Sequence, residues 1–94
     1  MTKEHILNFL TQNKDIFKKT FQVENIALFG SYARGDAHND SDIDILVDMP
    51  SSFDNYFDLK YFLEDNFHRD VDLGKEKQLR KLIKKQILQD IIYV

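Results

Sequence analysis

A glycine–serine turn followed by two aspartates inside an apolar run constrains the fold of this chain more than any other feature. Both lie within residues 28–47, LFGSYARGDAHNDSDIDILV. The apolar run that ends at Phe29 predicts a short buried strand, and Gly30 lets the backbone turn sharply out of it while a ligand approaches closely. Ser31 is expected to open a helix. The stretch therefore predicts a strand, a tight turn, a helix, a loop and a second strand, in that order.

The helix expected at Ser31 would provide a seat for phosphate groups. Its first backbone N–H groups have no partner within the helix, and the positive end of the helix dipole lies at the same place. Ser31 could serve as an ordinary N-cap, as a phosphate donor, or as both. Arg34, one turn into the helix, could bind phosphate or pair with a nearby acid. We therefore predict that Gly30, Ser31 and Arg34 bind a nucleotide, with both alternatives open for Arg34.

The two aspartates, Asp42 and Asp44, predict a metal site. Residues two apart in a strand point to the same face, so these carboxylates should converge while Ile43 and Ile45 face the opposite side. Carboxylate and triphosphate oxygens suit Mg²⁺, and charge inside an apolar strand is costly without a cation. An EF-hand calcium loop does not fit, because its sixth position would be Ile45 instead of Gly. A phosphate seat beside such a metal site predicts nucleotidyl transfer.

Two motifs in this region resemble a known signature. They are GSYARG at residues 30–35 and SDID at residues 41–44. At this spacing they resemble the signature of the DNA-polymerase-β-like nucleotidyltransferases, and most closely that of their smallest branch, the minimal nucleotidyltransferase (MNT) proteins. The resemblance covers most of the chain. It implies an α/β fold of the α+β kind, in which a small mixed β-sheet flanked by helices forms a polymerase-β-like nucleotidyltransferase core.

The resemblance also implies a third strand that carries one more carboxylate. Asp72, in the run RDVDLG, fits that position. Asp70 lies on the same face two residues earlier, and we favour Asp72 over it. The family uses such carboxylates, here Asp42, Asp44 and Asp72, both as catalytic residues and as metal ligands. The resemblance therefore implies two Mg²⁺ ions as cofactors and ATP as the substrate.

Length and composition set bounds on the fold and the location. The 94 residues predict a single domain, residues 1–94, with a modest core. A hydrophobic content of 43% is typical of a folded globule, and the absence of cysteine excludes disulfides and thiolate metal sites. The sequence shows no signal peptide and no apolar run of about 20 residues that could cross a bilayer. We therefore expect a cytoplasmic protein without a membrane partner.

Basic residues crowd the C-terminal part of the chain, although the formal net charge is −3. They are Lys75, Lys77, Arg80, Lys81, Lys84 and Lys85. Apolar residues recur between them at helical spacing, which predicts a helix from about Lys77 to Ile92 with one apolar and one solvated face. No aromatic stacking residues are interleaved with the cations. We therefore favour a solvated helix face over direct binding of nucleic acid.

The remaining elements follow from caps and periodicity. Thr2 is a plausible N-cap for a first helix that breaks near Asn13. The second strand should end near Asp48, and helical spacing from Phe53 to Asn66 predicts a crossover helix. Residues 71–73 predict the third strand. Together these elements predict a small sheet with helices packed against it.

The acceptor of the nucleotide is expected to be a protein. Small-molecule and tRNA nucleotidyltransferases that resemble this core generally add domains to hold the acceptor, and 94 residues leave no room for one. The resemblance to stand-alone MNT proteins implies a HEPN-domain partner, which is the RNase toxin of a toxin–antitoxin pair. The MNT antitoxin of such a pair neutralises the toxin by AMPylation, the transfer of AMP from ATP to a tyrosine hydroxyl.

Two other functions remain open at this point. One is a binding-only antitoxin that masks its partner and has an idle site. The other is a nucleotidyltransferase that acts on a small molecule such as an aminoglycoside. The sequence leaves the acceptor, the number of AMP units, the nucleotide preference and the oligomeric state open, and both homo- and hetero-oligomers are compatible with it.

Overall fold

The computed structural model describes residues 1–50, 52–79, 85–86 and 89–94. The first helix, the helix after the Gly30 turn, the crossover helix and the first three strands lie close to the bounds expected from the sequence. In chain order the elements are α1 (Lys3–Gln12), α2 (Lys14–Phe21), β1 (Asn25–Phe29), α3 (Gly30–Arg34), β2 (Ile43–Asp48), α4 (Phe53–Phe67), β3 (Val71–Lys75), a 3₁₀ helix (Glu76–Gln78) and β4 (Ile92–Tyr93).

Within the described residues the strands form one mixed sheet in the order β3-β2-β1-β4. β1 is antiparallel to both β2 and β4, whereas β2 and β3 run parallel. A parallel pair needs a crossover connection, and α4 provides it. The predicted fold, a small mixed sheet flanked by helices, is confirmed.

One face of the sheet forms the hydrophobic core together with the helices. Ile43 and Ile45 of β2 are fully buried there, as are Leu59 and Leu63 of α4. Successive strand residues point to opposite faces, so Asp44, between the two isoleucines, projects from the other face. The apolar alternation in β2 therefore places this carboxylate on the side of the sheet away from the core.

The break predicted near Asn13 separates α1 from α2. Thr2 caps α1, because its hydroxyl accepts a hydrogen bond from the His5 N–H at 3.1 Å. The Asn13 side chain donates to the Phe9 carbonyl at 2.8 Å. The break itself lies in the backbone of Asn13, whose φ of −106° and ψ of 13° depart from helical values.

Side chains of α4 form hydrogen bonds with backbone groups on the outer edge of β3. The Tyr56 hydroxyl donates to the Leu73 carbonyl at 2.5 Å, and the Glu64 carboxylate accepts from the Val71 N–H at 3.0 Å. β3 ends the strand order, and unpaired groups on an edge strand invite pairing with another chain. α4 therefore both connects β2 to β3 and holds β3, the strand that carries Asp72, in place.

The C-terminal helix predicted from Lys77 to Ile92 is wrong at both ends. Its beginning falls in the 3₁₀ helix Glu76–Gln78, and its end falls in β4. Lys85 and Gln86 are helical, and residues 80–84 and 87–88 lie outside the described residues. Ile92 pairs with Leu28 of β1. The open edge of β1 thus recruits Ile92, which local spacing alone assigned to a helix, together with Tyr93 beyond the predicted end of that helix.

No helix in the described ranges is long and apolar enough to cross a membrane.

Candidate active site

The turn after β1 lies where the sequence predicts it, but the helix begins one residue early. Phe29, in an extended conformation, is the N-cap, and α3 starts at Gly30. Ser31 is therefore the second helical residue and not the one that opens the helix. α3 has five residues and ends at Arg34, and its C-cap Gly35 is left-handed with φ 84°. A helix this short offers its first N–H groups to a ligand but only a small dipole.

Gly30 is required both by its backbone and by its neighbour. Its φ of +74° lies in the region that favours glycine. A Cβ added here would lie 2.8 Å from the Cγ of Asp44, 3.0 Å from its Cβ and closer still to its Oδ2. The sequence suggested that glycine leaves room for a ligand. In the structure, the Asp44 carboxylate already occupies the space that a side chain would need.

Asp44 and Asp72 stand side by side on the parallel strands β2 and β3. The register pairs one with the other, so both side chains project from the same face of the sheet. Asp42 lies just before β2 and is exposed, as is Asp72, whereas Asp44 is half-buried. Burial, followed by the negative charges of Asp72 and Asp42, raises the pKa of Asp44 from 3.8 to about 6. The three carboxylates singled out in the sequence therefore interact electrostatically.

Asp70, the competitor for the third carboxylate, lies in a different position. It precedes β3, and its backbone carbonyl accepts a hydrogen bond from the Ile43 N–H at 3.0 Å. The acids whose charges raise the pKa of Asp44 are Asp72 and Asp42. Asp72 thus lies directly opposite Asp44, and its role as the third carboxylate stays a prediction.

Arg34 pairs with two acids. Its Nε lies 3.2 Å from Asp36 Oδ2, and its Nη1 lies 3.7 Å from Asp90 Oδ2. The hydrogen bond to Asp36 and the charge of Asp36, followed by the charge of Asp90, raise the pKa of Arg34. The charge of Arg34 also opposes the rise in the pKa of Asp44. One of the two alternatives for Arg34, pairing with an acid, is present in the structure, and phosphate binding stays a prediction.

An open cavity of about 420 Å³ lies beside the turn. It is lined by Phe29, Gly30, Ser31, Arg34, Asp44, Gln86 and Asp90. Its walls therefore combine the helix-opening N–H groups, one carboxylate of the acidic cluster and one guanidinium. The sequence placed Gln86 and Asp90 on a helix without a function, and no local motif distinguishes them. Only the folding of the C-terminal segment against α3 brings them to the site.

The acidic cluster is a candidate site for a metal ion. Within the described residues, no group of three or more acidic or histidine side chains is already gathered as a set of ligands. Asp42, Asp44 and Asp72 nevertheless supply oxygen atoms of the kind that Mg²⁺ takes. Burial, followed by the charges of Asp72 and Asp42, raises the pKa of Asp44, and a divalent cation would offset the repulsion among these charges. The donor set fits Mg²⁺, and metal binding stays a prediction.

A known protein family and a known protein are similar to this chain in sequence. Residues 10–94 match the family described as Nucleotidyltransferase domain. The protein adenylyltransferase MntA of Thermococcus cleftensis is 38% identical over 96 residues, which cover 100% of this chain and 97% of the relative. The similarity therefore extends over both proteins nearly end to end.

Solved structures are also similar to this chain over almost its whole length. A structure described as a candidate minimal nucleotidyltransferase superposes with a TM-score of 0.83 at 28% identity, and the match covers 98% of this chain and 95% of that one. A chain of a toxin–antitoxin crystal structure with AMP-PNP superposes with a TM-score of 0.70 at 25% identity, covering 99% of this chain and 72% of that one.

Proposed function

The chain belongs to the nucleotidyltransferase domain family, and on this premise we propose that it transfers AMP from ATP to a hydroxyl group of a partner protein. The family membership makes it a nucleotidyltransferase. The nucleotide, the metal and the acceptor belong to the proposal. We also propose that residues 1–94 form a single nucleotidyltransferase domain, since similar proteins match this chain along almost its whole length.

The register of β2 and β3 is the observation that carries the proposal. It sets Asp44 beside Asp72, while the turn at Gly30 packs against Asp44 from the other side. Gly30, Ser31 and Asp44 thus line the same cavity, and Asp72 lies beside Asp44 in the sheet. An anionic triphosphate would be repelled by these carboxylates alone, which supports a cation as part of the working site.

Each part of the site has a proposed action in the transfer. The N–H groups of Gly30 and Ser31 bind phosphate oxygens, and Arg34 adds its charge when a phosphate replaces one of its acidic partners. Mg²⁺ held by Asp42, Asp44 and Asp72 would offset the charge of the triphosphate and of the departing pyrophosphate. The acceptor oxygen attacks the α-phosphorus, pyrophosphate leaves, and the hydroxyl proton passes to Asp72.

The proposed acceptor is a hydroxyl group of a protein. Asp72 is exposed, so a group on the surface of another protein can reach it. A phenol has a pKa of about 10 and gives up its proton more readily than an aliphatic hydroxyl, which favours tyrosine as the acceptor. One relative is named a protein adenylyltransferase, and one structural neighbour belongs to a toxin–antitoxin complex.

These relatives, with the MNT resemblance of the sequence, support a specific partner. We propose that the chain is the antitoxin of a HEPN-domain RNase toxin and that it AMPylates this toxin. ATP is the proposed donor because the structural neighbour is a complex with AMP-PNP. The cytoplasmic location remains a prediction of the same proposal.

Asp72→Asn, with Asp70→Asn as its matched control, tests catalysis against simple masking. Both variants, together with the wild type, are incubated with the HEPN protein, labelled ATP and Mg²⁺, and AMP on the toxin is measured by mass spectrometry. Asp72→Asn should retain toxin binding and much of the ATP affinity but lose transfer. Asp70→Asn should transfer AMP at close to the wild-type rate, because Asp70 takes part in the structure through its backbone carbonyl.

Protection of cells decides between the antitoxin functions. An enzymatic antitoxin predicts that Asp72→Asn no longer protects cells when both proteins are made at ordinary levels. Full protection by Asp72→Asn, with no AMP on the toxin, would contradict the catalytic proposal and favour a binding-only antitoxin. Transfer of AMP to an aminoglycoside but not to the HEPN protein would favour a small-molecule enzyme.

A further inference from the structure

Residues 69 and 70 hold both ends of the segment that carries Asp42. The Arg69 guanidinium donates through Nη1 to the backbone carbonyl of Asn39. The Ile43 N–H donates to the backbone carbonyl of Asp70 at 3.0 Å. Asn39 precedes Asp42 by three residues and Ile43 follows it directly. The segment between α3 and β2 is thus attached, on both sides of Asp42, to the residues just before β3.

The segment is also closed on itself. The His38 N–H donates to the Ser41 hydroxyl at 2.8 Å, and the Ser41 N–H donates to the His38 carbonyl at 3.0 Å. Asn39 lies inside this turn. A turn held by two internal hydrogen bonds moves as a unit, so a bond to the Asn39 carbonyl positions the whole turn and the Asp42 that follows it.

We propose that Arg69 is a positioning residue that sets the spacing between Asp42 and Asp72. Arg69 lies three residues before Asp72 on the same segment of chain. Its bond to the Asn39 carbonyl therefore ties the first carboxylate of the cluster to the strand that carries the third. This inference rests on the proposed function, because the spacing of these carboxylates matters only if they take part in AMP transfer.

The strength of this hydrogen bond indicates whether its loss affects folding or activity. Loss of one hydrogen bond from a charged donor shifts a folding equilibrium by only about ten-fold, so the protein should fold without it. The geometry of a catalytic cluster is more sensitive, since loss of a residue that orients metal-binding groups typically lowers activity or metal affinity by about 10- to 100-fold. The planar guanidinium reaches the carbonyl with a directed N–H, whereas a lysine ammonium at this position reaches it only as a flexible donor.

The test compares Arg69→Gln, Arg69→Lys and Asn39→Ala in the full chain with its protein acceptor. Arg69→Gln should lower kcat for AMP transfer by about 10- to 100-fold while the KM for ATP stays within about two-fold. Arg69→Lys should recover part of the loss. Asn39→Ala should behave like the wild type, because the acceptor of the bond is the main-chain carbonyl, which this substitution retains.

A second measurement needs no nucleotide. Amide hydrogen exchange at Ser41 and Ile43 should be about ten-fold faster in Arg69→Gln than in the wild type, which is the same fold-change expected from losing one such bond. Unchanged exchange at both amides, or a wild-type kcat in Arg69→Gln, would overturn the inference. A loss in Asn39→Ala as large as that in Arg69→Gln would overturn it as well.

The two proposals fail in different ways. If the wild type transfers no AMP to any protein, the proposed function fails, and the exchange measurement alone decides whether Arg69 holds the turn. If the wild type transfers AMP and Arg69→Gln does so equally fast, only the positioning inference fails. Should Arg69→Gln not fold, Arg69→Lys provides the same comparison with the charge retained.

Discussion

The Asp44 carboxylate lies against the bare Cα of Gly30, so the turn and one carboxylate of the acidic cluster share one small space. Asp44 of β2 pairs with Phe29, the last residue of the antiparallel strand β1, and Gly30 follows Phe29 directly. A change on either side of this contact therefore affects both the proposed phosphate seat and the proposed metal site.

Gly30→Ala should destabilise the protein more than Gly35→Ala does. Both glycines have positive φ, so alanine costs roughly 1 kcal/mol of backbone strain at either position. At Gly35 an added Cβ meets nothing within 4 Å, whereas at Gly30 it meets the Asp44 carboxylate. We expect a total cost of roughly 2–3 kcal/mol for Gly30→Ala in urea unfolding, together with a sharp loss of ATP affinity. Equal stability of the two variants would contradict the contact.

Asp44→Asn should make the metal-free protein more stable, and the gain should depend on pH. The folded state keeps a proton on Asp44 up to about pH 6, whereas the ordinary pKa of the group is 3.8. Because the folded state binds more protons in this window, stability falls as pH rises through it, and the cost is complete above about pH 6. At pH 8 we expect a gain on the order of 1 kcal/mol for Asp44→Asn, since the half-exposed position is partly screened by solvent.

Below about pH 3.8 this gain should vanish, because Asp44 is then neutral in both states. Thermal melts of both proteins from pH 3.5 to 8 in the presence of a chelator measure the difference. Asp58→Asn, which changes an exposed carboxylate on α4, is the control and should follow the wild type. The same Asp44→Asn variant should lose AMP transfer by orders of magnitude. A stability difference that is constant across this pH range would count against the shared charge cluster.

Removing one acidic partner of Arg34 should strengthen nucleotide binding. Asp90 lies on the cavity wall and pairs with Arg34, so it competes with a phosphate for the guanidinium. We expect Asp90→Asn to tighten binding of a non-hydrolysable ATP analogue by a few-fold and Arg34→Gln to weaken it by about ten-fold. Calorimetric titration measures both. If Arg34→Gln binds the analogue as the wild type does, Arg34 serves to pair with acids and does not bind phosphate.

Tyr56→Phe should loosen the edge strand that carries Asp72. The variant loses the hydroxyl that donates to the Leu73 carbonyl, at a cost of about 1 kcal/mol in the free energy of unfolding. Tyr61→Phe on the same helix is the matched control, because the Tyr61 side chain is 57% exposed, and it should be neutral. Chemical denaturation with the two variants in parallel checks the difference. A neutral Tyr56→Phe would mean that the bond between Tyr56 and the Leu73 carbonyl does not help to hold β3.

Local features of the sequence were sufficient for most of the fold. Periodicity and capping predicted α1 with its break at Asn13, the crossover helix α4 and three of the strands. The Gly30 turn and the alternation of Asp42 and Asp44 with isoleucines likewise depend only on neighbouring residues. These features are readable because backbone freedom, side-chain period and capping bonds act over a few residues.

Long-range contacts decided the rest. Whether residues 92–93 join a helix or a strand depends on the open edge of β1, which no local pattern reveals. The Asp44 carboxylate behind Gly30, Asp90 beside Arg34 and the Asn39 carbonyl under Arg69 are likewise pairs from distant parts of the chain. Such contacts depend on how strands align and on which surfaces meet, and their energies exist only after the chain has closed the intervening loops. The sequence thus predicted Gly30, Arg34 and the three carboxylates as residues of the site, whereas only the tertiary structure shows which of them touch and brings Asp90 to Arg34.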